Sequence, residues 1–483
     1  MILIYTWVSK LKNISVFLSI LLYLLSSPCV LSLTIDEYLS QVKTNNDDYK
    51  SAQLSTQSGF DRSNEGFLSL SPNLISSANY LMDNQNGFNR HSSGSKTVNE
   101  DLRVGIAKKF STGTNIKAEY NTSYTETFYT NTPNNKDTKS WYTRPIIGIQ
   151  QSLLRNWLGS ETQALIDLKN AQAKAQGHMS EFNRKKLLAD AETVYWDLAT
   201  VVANVQIKQD SVQRSQRLVK WAQRRSKSGL GNDSDYLQAK SALQQRKFEL
   251  EAILDFQKSK ARLFNSYRTI LSEDIPDKLE SFENANIANI KIKSTDSLSA
   301  PNSREDLKAQ YQNYLSSKAQ ADIATENIRP DLNFNLQYFP SGRDYHYAQA
   351  TNAVWRGRNP NLTVGLNFSI PLDRGLIKDL NGAYKAQTHA AKLAYTRKQF
   401  ELTNEWQRLS EQITLFNKQL KISKSLVTTQ LKKLHNEEEL LKNGRTTTFQ
   451  VLQFEEDYFN AQSQYLDTKN NLLKLTTMSK LFD

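Results

Sequence analysis

Three stretches of this 483-residue chain carry an apolar residue at every seventh position, and few residues that end a helix interrupt them. Such a repeat is typical of helices that pack side by side in coiled-coil fashion. The chain holds 17 glycines and 10 prolines, few for its length, so long elements are favoured over many short ones. The repeat consists of Ala191, Leu198, Val205, Val212 and Val219, then Ile413, Leu420, Val427, Leu434 and Leu441, and finally Val451, Tyr458, Tyr465 and Leu472.

Two of these stretches predict single helices of about 70 residues. The first runs from Ser160 to a turn at Gly229 and Gly231, and the second from about Leu376 to Asn443. A partner helix follows each turn. At about 1.5 Å per residue, the long helices would reach roughly 100 Å, too far for one compact domain. The rest of their surface is rich in Gln, Lys, Ser and Asn. The pattern therefore predicts a rod or the wall of a tube.

Four segments between the helices alternate apolar and polar residues, which is typical of strands whose two faces meet different surroundings. Their lengths suit tilted strands that cross the hydrocarbon core of a membrane. Four strands cannot close a barrel, which needs about eight, and open edges cannot face lipid. Several copies must therefore share one barrel, and three copies would give about twelve strands. The segments lie at 72–82, 144–153, 331–340 and 361–370.

The elements follow the same order twice, which indicates an internal repeat. Residues 33–271 form the predicted first repeat, with a helix, the first strand pair and a helical hairpin whose tip lies at 229–231. A polar equatorial connector covers 272–302. Residues 303–483 form the second repeat, with the other strand pair and a tip at 444.

A further alternating pair lies between the first two predicted strands, at residues 102–124, and flanks a turn around Gly113. We interpret it as an extra hairpin outside the strand pairs, either extracellular or serving as a lid. The alternative is that it adds spanning strands.

The N-terminus, residues 1–32, predicts an export signal peptide. Lys10 and Lys12 precede an apolar stretch of about 12 residues, and Val30 and Ser32 suit cleavage before Leu33. The stretch is short for a membrane anchor, which is the alternative. Lipidation at Cys29, the one cysteine of the chain, is a second alternative, and the preceding Pro28 disfavours it. Cleavage would leave no cysteine, which suits an oxidising compartment.

Charge and composition exclude several classes. A mean hydropathy of −0.59 excludes a bundle of transmembrane helices. The formal charge of +12, or +10 without the leader's two lysines, fits solvated helix faces or a basic lumen. The sequence shows no run of consecutive basic residues of the kind that would indicate nucleic-acid binding.

No phosphate-binding loop or nucleophile elbow is present, so neither an enzyme nor a cofactor is expected. The five histidines show no metal-ligand spacing; they are His91, His178, His346, His389 and His435.

The two tip segments carry a resemblance to a known family. The run from Gly229 to Ala239, with Asp235, Leu237 and Gln238, resembles the first tip motif of the TolC family of outer membrane efflux and secretion channels. The run from Gly444 to Leu452 resembles the second. Gln150 to Arg155 and Phe368 to Leu372 are similar to that family's strand-to-helix junctions. The duplicated order of these segments spans nearly all of the chain.

The resemblance implies a membrane α+β fold: a homotrimer with a twelve-stranded transmembrane β-barrel, four strands per protomer, continued by a long periplasmic α-helical coiled-coil barrel. It implies an exit duct in the outer membrane of a Gram-negative bacterium, in contact with outer-membrane lipid. A periplasmic adaptor protein and an inner-membrane transporter are the implied partners. By the same correspondence Gly229, Leu230 and Gly444 are candidate adaptor-docking residues. The alternative for the glycines is that each only ends a helix.

The candidate residues of the periplasmic aperture are Gln450, Gln453 and Asp235. Some members of the family carry two aspartates at the positions of Gln450 and Gln453, and rings of carboxylates bind cations. Neutral glutamine rings predict weaker block by multivalent cations. Glu455, Glu456 and Asp457 follow and can be explained as solvated side chains.

A secreted structural coiled-coil protein, such as a spacer or an adhesin, is the rival hypothesis. It explains the seven-residue repeat equally well, but it does not explain four alternating segments in duplicate order. Within the transport class, nothing in the residues separates small-molecule efflux from type I protein secretion, or names the pump and its cargo.

Overall fold

The structure is a computed structural model, and its residues fall into two compact units. Among the described residues, the helical unit comprises 33–54, 181–304 and 401–482, and the sheet unit comprises 55–180 and 305–400. The predicted signal peptide, Leu230 and most of the predicted connector lie outside the described residues. The structure describes residues 33–84, 95–129, 136–229, 232–275, 279, 304–357 and 359–482.

The helices of the described residues include the two long ones that the sequence predicts. They have 68 and 69 residues and are labelled α3 and α7. Side chains cap several of the helices, as with Thr34, which forms a reciprocal capping box with Glu37 at the start of α1. The α-helices are α1 (Ile35–Asn45), α2 (Asp47–Asp61), α3 (Ser160–Lys227), α4 (Asp233–Tyr267), α5 (Glu305–Asn327), α6 (Tyr347–Trp355), α7 (Arg374–Lys442) and α8 (Thr448–Ser479).

The seven-residue repeat forms the interior of the helical unit. Every predicted position of the repeat is buried or half-buried, and Leu198, Ile413 and Leu472 are almost fully buried. Within this unit the largest core cluster joins α1, α3, α4 and α8. There Tyr38 stacks on Phe264 with ring centroids 4.3 Å apart, so aromatic packing reinforces the aliphatic seam.

One antiparallel sheet dominates the sheet unit. Its strands follow the order β1-β2-β3-β4-β5-β7, and the short β6 pairs with residues 141–143 of β4. In each long strand, the end that joins a helix or the β2–β3 turn is called the helix-side end. The strands are β1 (Asn73–Asp83), β2 (Lys96–Lys109), β3 (Thr114–Phe128), β4 (Thr138–Ser152), β5 (Asp331–Pro340), β6 (Gly342–Asp344) and β7 (Pro360–Ser369).

The expectation of four strands per chain is wrong for this sheet, which has six long strands. The segment read as an extra hairpin is β2 and β3, and it lies between β1 and β4 rather than outside them. Consequently β1 pairs with β2, and β4 pairs with β3 and β5, so the predicted pairing of 72–82 with 144–153 does not occur. Polar residues such as Glu100 and Thr122 shorten the apparent alternation of the hairpin, which is why the sequence understated its length.

The register aligns the apolar residues of all six long strands on one face, called the apolar face. One row of paired residues runs from Leu74 through Ile106, Ala118, Ile147 and Tyr338 to Leu362. The opposite, polar face carries Asp101, Asn121 and Arg144, among others. Because alternate side chains point to opposite faces, the register makes the sheet two-faced.

The β2–β3 turn packs against the junction between β4 and α3. A Cβ added to Gly113 would lie 2.5 Å from the Asn156 carbonyl oxygen, so the turn and the junction approach closely. Asn156 and Leu158 both adopt positive φ in this junction, and Asn156 Oδ1 accepts a hydrogen bond from the Thr162 backbone N–H at 3.0 Å. The close approach places the hairpin turn beside the first turn of α3.

Helix α6 covers the far end of the sheet, opposite the helix-side ends. Ala350 and Val354 are buried, and a Cβ on Gly342 would collide with the Ala350 carbonyl group. Tyr347 packs edge-on against Trp141 with ring centroids 5.3 Å apart. The sequence reading did not predict this helix.

Candidate functional site

The first helix tip, between α3 and α4, is built by a left-handed glycine and a side-chain cap. Gly229 has a φ of +68° and donates its backbone N–H to the Ser226 carbonyl oxygen at 3.0 Å. Asn232 then caps α4, because its side chain accepts a hydrogen bond from the backbone N–H of Ser234. A Cβ on Gly229 would meet no atom within 4 Å, so the backbone angle alone requires glycine here. Leu230 lies outside the described residues.

The second tip, between α7 and α8, forms a Schellman motif. Gly444, with a φ of +69°, donates to the Leu441 carbonyl oxygen, and Arg445 donates to the Leu440 carbonyl oxygen at 2.9 Å. Thr447 caps α8 by accepting a hydrogen bond from the Gln450 backbone N–H. Both tips therefore reverse the chain by the same device, a left-handed glycine followed within a few residues by a capping side chain.

A cleft of about 550 Å³ lies between the two tips, within the helical unit. Gly229 and Asp235 line it from the first tip, and Thr446 to Thr448 line it from the second. Trp221 and Arg225 complete the wall on the α3 side, with the Arg225 guanidinium 4.9 Å from the centre of the Trp221 ring. The structure thus brings the predicted residues Gly229 and Asp235 to one cleft.

Gln450 and Gln453 do not line this cleft. They lie in the first turns of α8, where Gln450 is half-buried and Gln453 is exposed. Their neighbour Val451 points inward and is buried against Leu434 and Leu441 of α7. In a single copy, the predicted aperture residues are therefore split between the cleft and an exposed helix face.

Above the tips, three consecutive acidic residues of α8 bind three different helices. Glu455 pairs with Arg214 of α3 at 3.1 Å, Glu456 pairs with Arg246 of α4, and Asp457 pairs with Lys433 of α7 at 3.0 Å. These six residues are called the acidic staple. The interpretation of the three acidic residues as simply solvated is wrong.

The central member of the acidic staple is the most buried. Glu455 exposes only 3% of its surface, and this burial raises the pKa of its carboxyl despite the attraction of Arg214 and Arg246. Burial also works against the charge of Arg246, but the hydrogen bond and charge of Glu456 raise the pKa of Arg246 overall. The staple therefore contains one buried carboxylate, Glu455, whose charged form is disfavoured by burial.

A signal for the acidic staple was present in the sequence. Successive helix residues point about 100° apart, so three in a row must face three directions. On a helix whose neighbours lie on several sides, they cannot all face water. The two arginines and one lysine that pair with them are 24 to 241 residues away along the chain, and no local pattern identifies them.

Two features were not found in the part of the chain that the structure describes. No group of three or more His, Cys, Asp or Glu side chains among those residues could hold a metal ion. No helix among them is long and apolar enough to cross a membrane.

One family model matches part of the chain. Residues 299–476, which hold α5, β5 to β7, α7 and nearly all of α8, match the model of the outer membrane efflux protein family. No curated protein sequence matches the chain.

Solved outer-membrane channels share the fold. The structure is similar to CusC at a TM-score of 0.67 and 12% identity, over 94% of this chain and 92% of that chain. It is similar to VceC from Vibrio cholerae at 0.64 and 14% identity, over 93% and 95% of the two chains. It is also similar to MtrE from Neisseria gonorrhoeae, crystallised in its open state, at 0.63 and 11% identity, over 93% and 88%. The family match over residues 299–476 and the shared fold confirm the resemblance seen in the tip motifs: this chain is similar to the TolC-like outer membrane efflux proteins.

Proposed function

We propose that the chain is one protomer of a homotrimeric exit duct in the outer membrane of a Gram-negative bacterium. It passively conducts substrates that an inner-membrane pump and its periplasmic adaptor deliver, in an efflux or a type I secretion system. The observation that carries the proposal is the two-faced sheet whose outer strands, β1 and β7, each have only one partner strand among the described residues.

The apolar face supports contact with lipid. Leu74 exposes 77% of its surface, Leu362 67% and Leu366 65% in a single chain, far more than a sheet packed in a soluble core allows. Lipid is the surrounding that accepts such a face. Because each unpaired backbone group in lipid costs several kcal/mol, β1 and β7 must find partners. Six long strands are still fewer than the roughly eight of the smallest barrels, so the partners must come from other copies.

The helices support the same assembly. On α4 and α7 of the helical unit, apolar residues form stripes that stay exposed in one copy. Since the α4 stripe differs from the α7 stripe, pairing one with the other would join copies head to tail, which is the kind of interface that forms a ring when the rotation between copies closes. The stripes consist of Leu237, Phe248, Phe256 and Leu263 on α4 and of Leu415, Ile422, Leu426 and Leu440 on α7.

The tips supply the docking and aperture sites in this proposal. Gly229, Leu230 and Gly444 lie at the reversals that a periplasmic adaptor would meet, and Asp235, Gln450 and Gln453 would surround the aperture in the trimer. Gly229 leaves open space beside the backbone, which permits close approach of another chain. The energy for transport comes from the pump, because no nucleotide-binding motif appears in the sequence.

The test combines oligomeric state with conductance. The protein is extracted from outer membranes, cross-linked in detergent and then reconstituted in a planar bilayer. We expect a trimer that conducts ions. A folded monomer without conductance would contradict the proposal and favour the rival spacer or adhesin.

A matched pair of variants tests the interface on α4. Phe248→Ser removes an exposed apolar side chain of the α4 stripe, and Lys247→Ser makes the same replacement at the adjacent exposed position. We expect Phe248→Ser to lower the trimer fraction several-fold and Lys247→Ser to leave it unchanged. Equal effects would contradict the interface.

A further inference from the structure

We propose that β2 and β3 form a third hairpin of the membrane wall, so that each copy contributes six lipid-facing strands and three copies enclose a barrel of eighteen. This inference rests on the proposed duct. It concerns the hairpin alone, since the proposed duct needs only that copies share a barrel.

The place of the hairpin in the sheet is the first argument. β2 pairs with β1 along all 11 residues of β1, and β3 pairs with 14 residues of β4. The hairpin therefore connects β1 to β4 within the sheet. The β2–β3 turn lies at the helix-side end, against Asn156 and Gly159. A lid over the far end would have its strands outside the sheet. β2 and β3 instead lie inside the sheet, between β1 and β4.

The hairpin's apolar face continues that of its neighbours. Leu102 pairs with Ala78, Val104 with Ser76, and Ile106 with Leu74 across β1 and β2. The three hairpin residues expose 49%, 44% and 55% of their surface, comparable with Tyr338 and Ile147 of β5 and β4, at 46% and 55%. An extracellular hairpin in water would gain nothing from such a row. Acyl chains of the outer-membrane lipid are the occupant that matches it.

The polar face of the hairpin carries a connected network. Asp101 accepts a hydrogen bond from Asn121 at 2.8 Å and pairs with Arg103 at 2.9 Å. Asn121 in turn accepts a hydrogen bond from Arg144 of β4 at 3.0 Å. Apolar residues on one face and satisfied charges on the other are what a strand between lipid and a wet lumen requires.

The stagger of the sheet fits a closed barrel. The row of paired residues that starts at Leu74, one residue from the helix-side end of β1, reaches Leu362, seven residues from the helix-side end of β7. Closing a sheet into a barrel requires such a shift, because the strands tilt. The shift passes through β2 and β3 without a break. Since barrel diameter grows roughly linearly with strand number, eighteen strands would make a barrel about half again as wide as twelve.

Single cysteines test the hairpin directly, in a chain where Cys29 is replaced by Ser. Val104→Cys lies on the apolar face of β2 and Val364→Cys on the apolar face of β7, each five residues from the helix-side end of its strand. Glu119→Cys and Thr363→Cys are the controls on the polar face of β3 and β7. Each variant is reconstituted in vesicles. One sample carries a fluorescent thiol label and is quenched with brominated acyl chains, and another is treated with a charged, water-soluble thiol reagent.

The outcomes separate the two proposals. We expect brominated lipid to quench the labels at 104 and 364 to a similar extent, and the water-soluble reagent to modify only 119 and 363. Quenching at 364 with modification and no quenching at 104 would overturn the third hairpin and leave the duct intact. Absence of quenching at both positions would instead overturn the lipid-facing sheet and, with it, the proposed duct.

Discussion

At the scale of single residues, the two tip glycines have a conformational reason that the sequence motif alone could not supply. Gly444 has a φ of +69°, which costs an L-residue with a Cβ roughly 1 to 2 kcal/mol. We expect Gly444→Ala to lower the free energy of unfolding by about 1 kcal/mol. Thermal unfolding of the detergent-solubilised protein, followed by circular dichroism, measures the change.

The control for this prediction lies inside α7, the helix that ends before Gly444. Gly382, inside α7, has no positive φ, and an added Cβ would meet no atom within 4 Å. Gly382→Ala should stabilise the protein by roughly 0.5 to 1 kcal/mol, because alanine restricts the unfolded chain and favours helix. If both substitutions shift the unfolding midpoint in the same direction, the conformational account of Gly444 fails.

Asp197 is a half-buried carboxylate whose neighbours favour its charged form. It lies on α3 and contacts Lys260 at 3.1 Å and Asn470 at 3.0 Å, together with Lys474. Burial alone would raise the pKa of Asp197, but the hydrogen bond from Asn470 and the two lysines together lower it. Stability from Asp197 is therefore present above the pKa of the unfolded chain and is lost as the pH falls through the lowered, folded-state pKa.

Asp197→Asn should accordingly cost about 2 kcal/mol at pH 7, the usual worth of hydrogen bonds to a charged group. The difference from the unchanged protein should shrink as the pH falls below the ordinary aspartate range. Unfolding midpoints measured at a series of pH values decide the point. A pH-independent difference would mean that the amide disturbs packing rather than removing a charge.

At the scale of elements, the acidic staple connects α8 to three other helices. Burial disfavours the charged form of one of its carboxylates, that of Glu455. Because the folded-state pKa of Glu455 is raised, the sign is opposite to that of Asp197. Its contribution to stability is fully present below the pKa of the unfolded chain and is lost as the pH rises through the raised pKa. Glu455→Gln keeps an acceptor for Arg214 and should raise the unfolding midpoint at pH 8, with the gain closing towards acidic pH. A lower midpoint at pH 8 would show that the ion pair outweighs its burial.

The sequence predicts elements well where the signal is local and repeated. The long helices α3 and α7 and the strands β5 and β7 were placed within two residues at each end, because the seven-residue repeat of the helices and the two-residue alternation of the strands are local patterns. The hairpin β2–β3 was recognised as a pair of strands and misplaced. Which strands pair is a non-local property, and no residue pattern within 102–124 indicates that β1 and β4 lie on the two sides of the hairpin.

The candidate site divides in the same way. Gly229 and Gly444 could be found from the tip motifs, since a left-handed turn demands glycine locally. The pairing of Glu455 with Arg214 could not, because the two residues lie on separate helices that meet only through packing of the core. Helix α6 was missed because its nine residues are too few to show a helical period.

At the scale of the whole molecule, the proposed duct is a ring of copies. It would place a neighbouring copy beside the apolar stripes on α4 and α7 and beside the outer strands β1 and β7. In such a ring, residues that are exposed in one copy can face a common axis. Gln453, exposed near the start of α8, is then repeated around the ring, with Gln450 one turn before it.

Because two rings of glutamine carry no charge, we expect multivalent cations to block the reconstituted channel only weakly. Replacing both residues, Gln450→Asp and Gln453→Asp, should create two carboxylate rings and strengthen block by a trivalent cation at least tenfold. The control is Glu438→Asp, an exchange on α7 that keeps the charge. Conductance titrated with the cation gives the affinity of block. Strong block of the unchanged protein that Gln450→Ala abolishes would contradict the neutral aperture. If the double aspartate variant is blocked no more strongly than the control, these positions do not surround the conducting path. The proposal that the protein is a channel would be unaffected, because it is tested by the conductance itself.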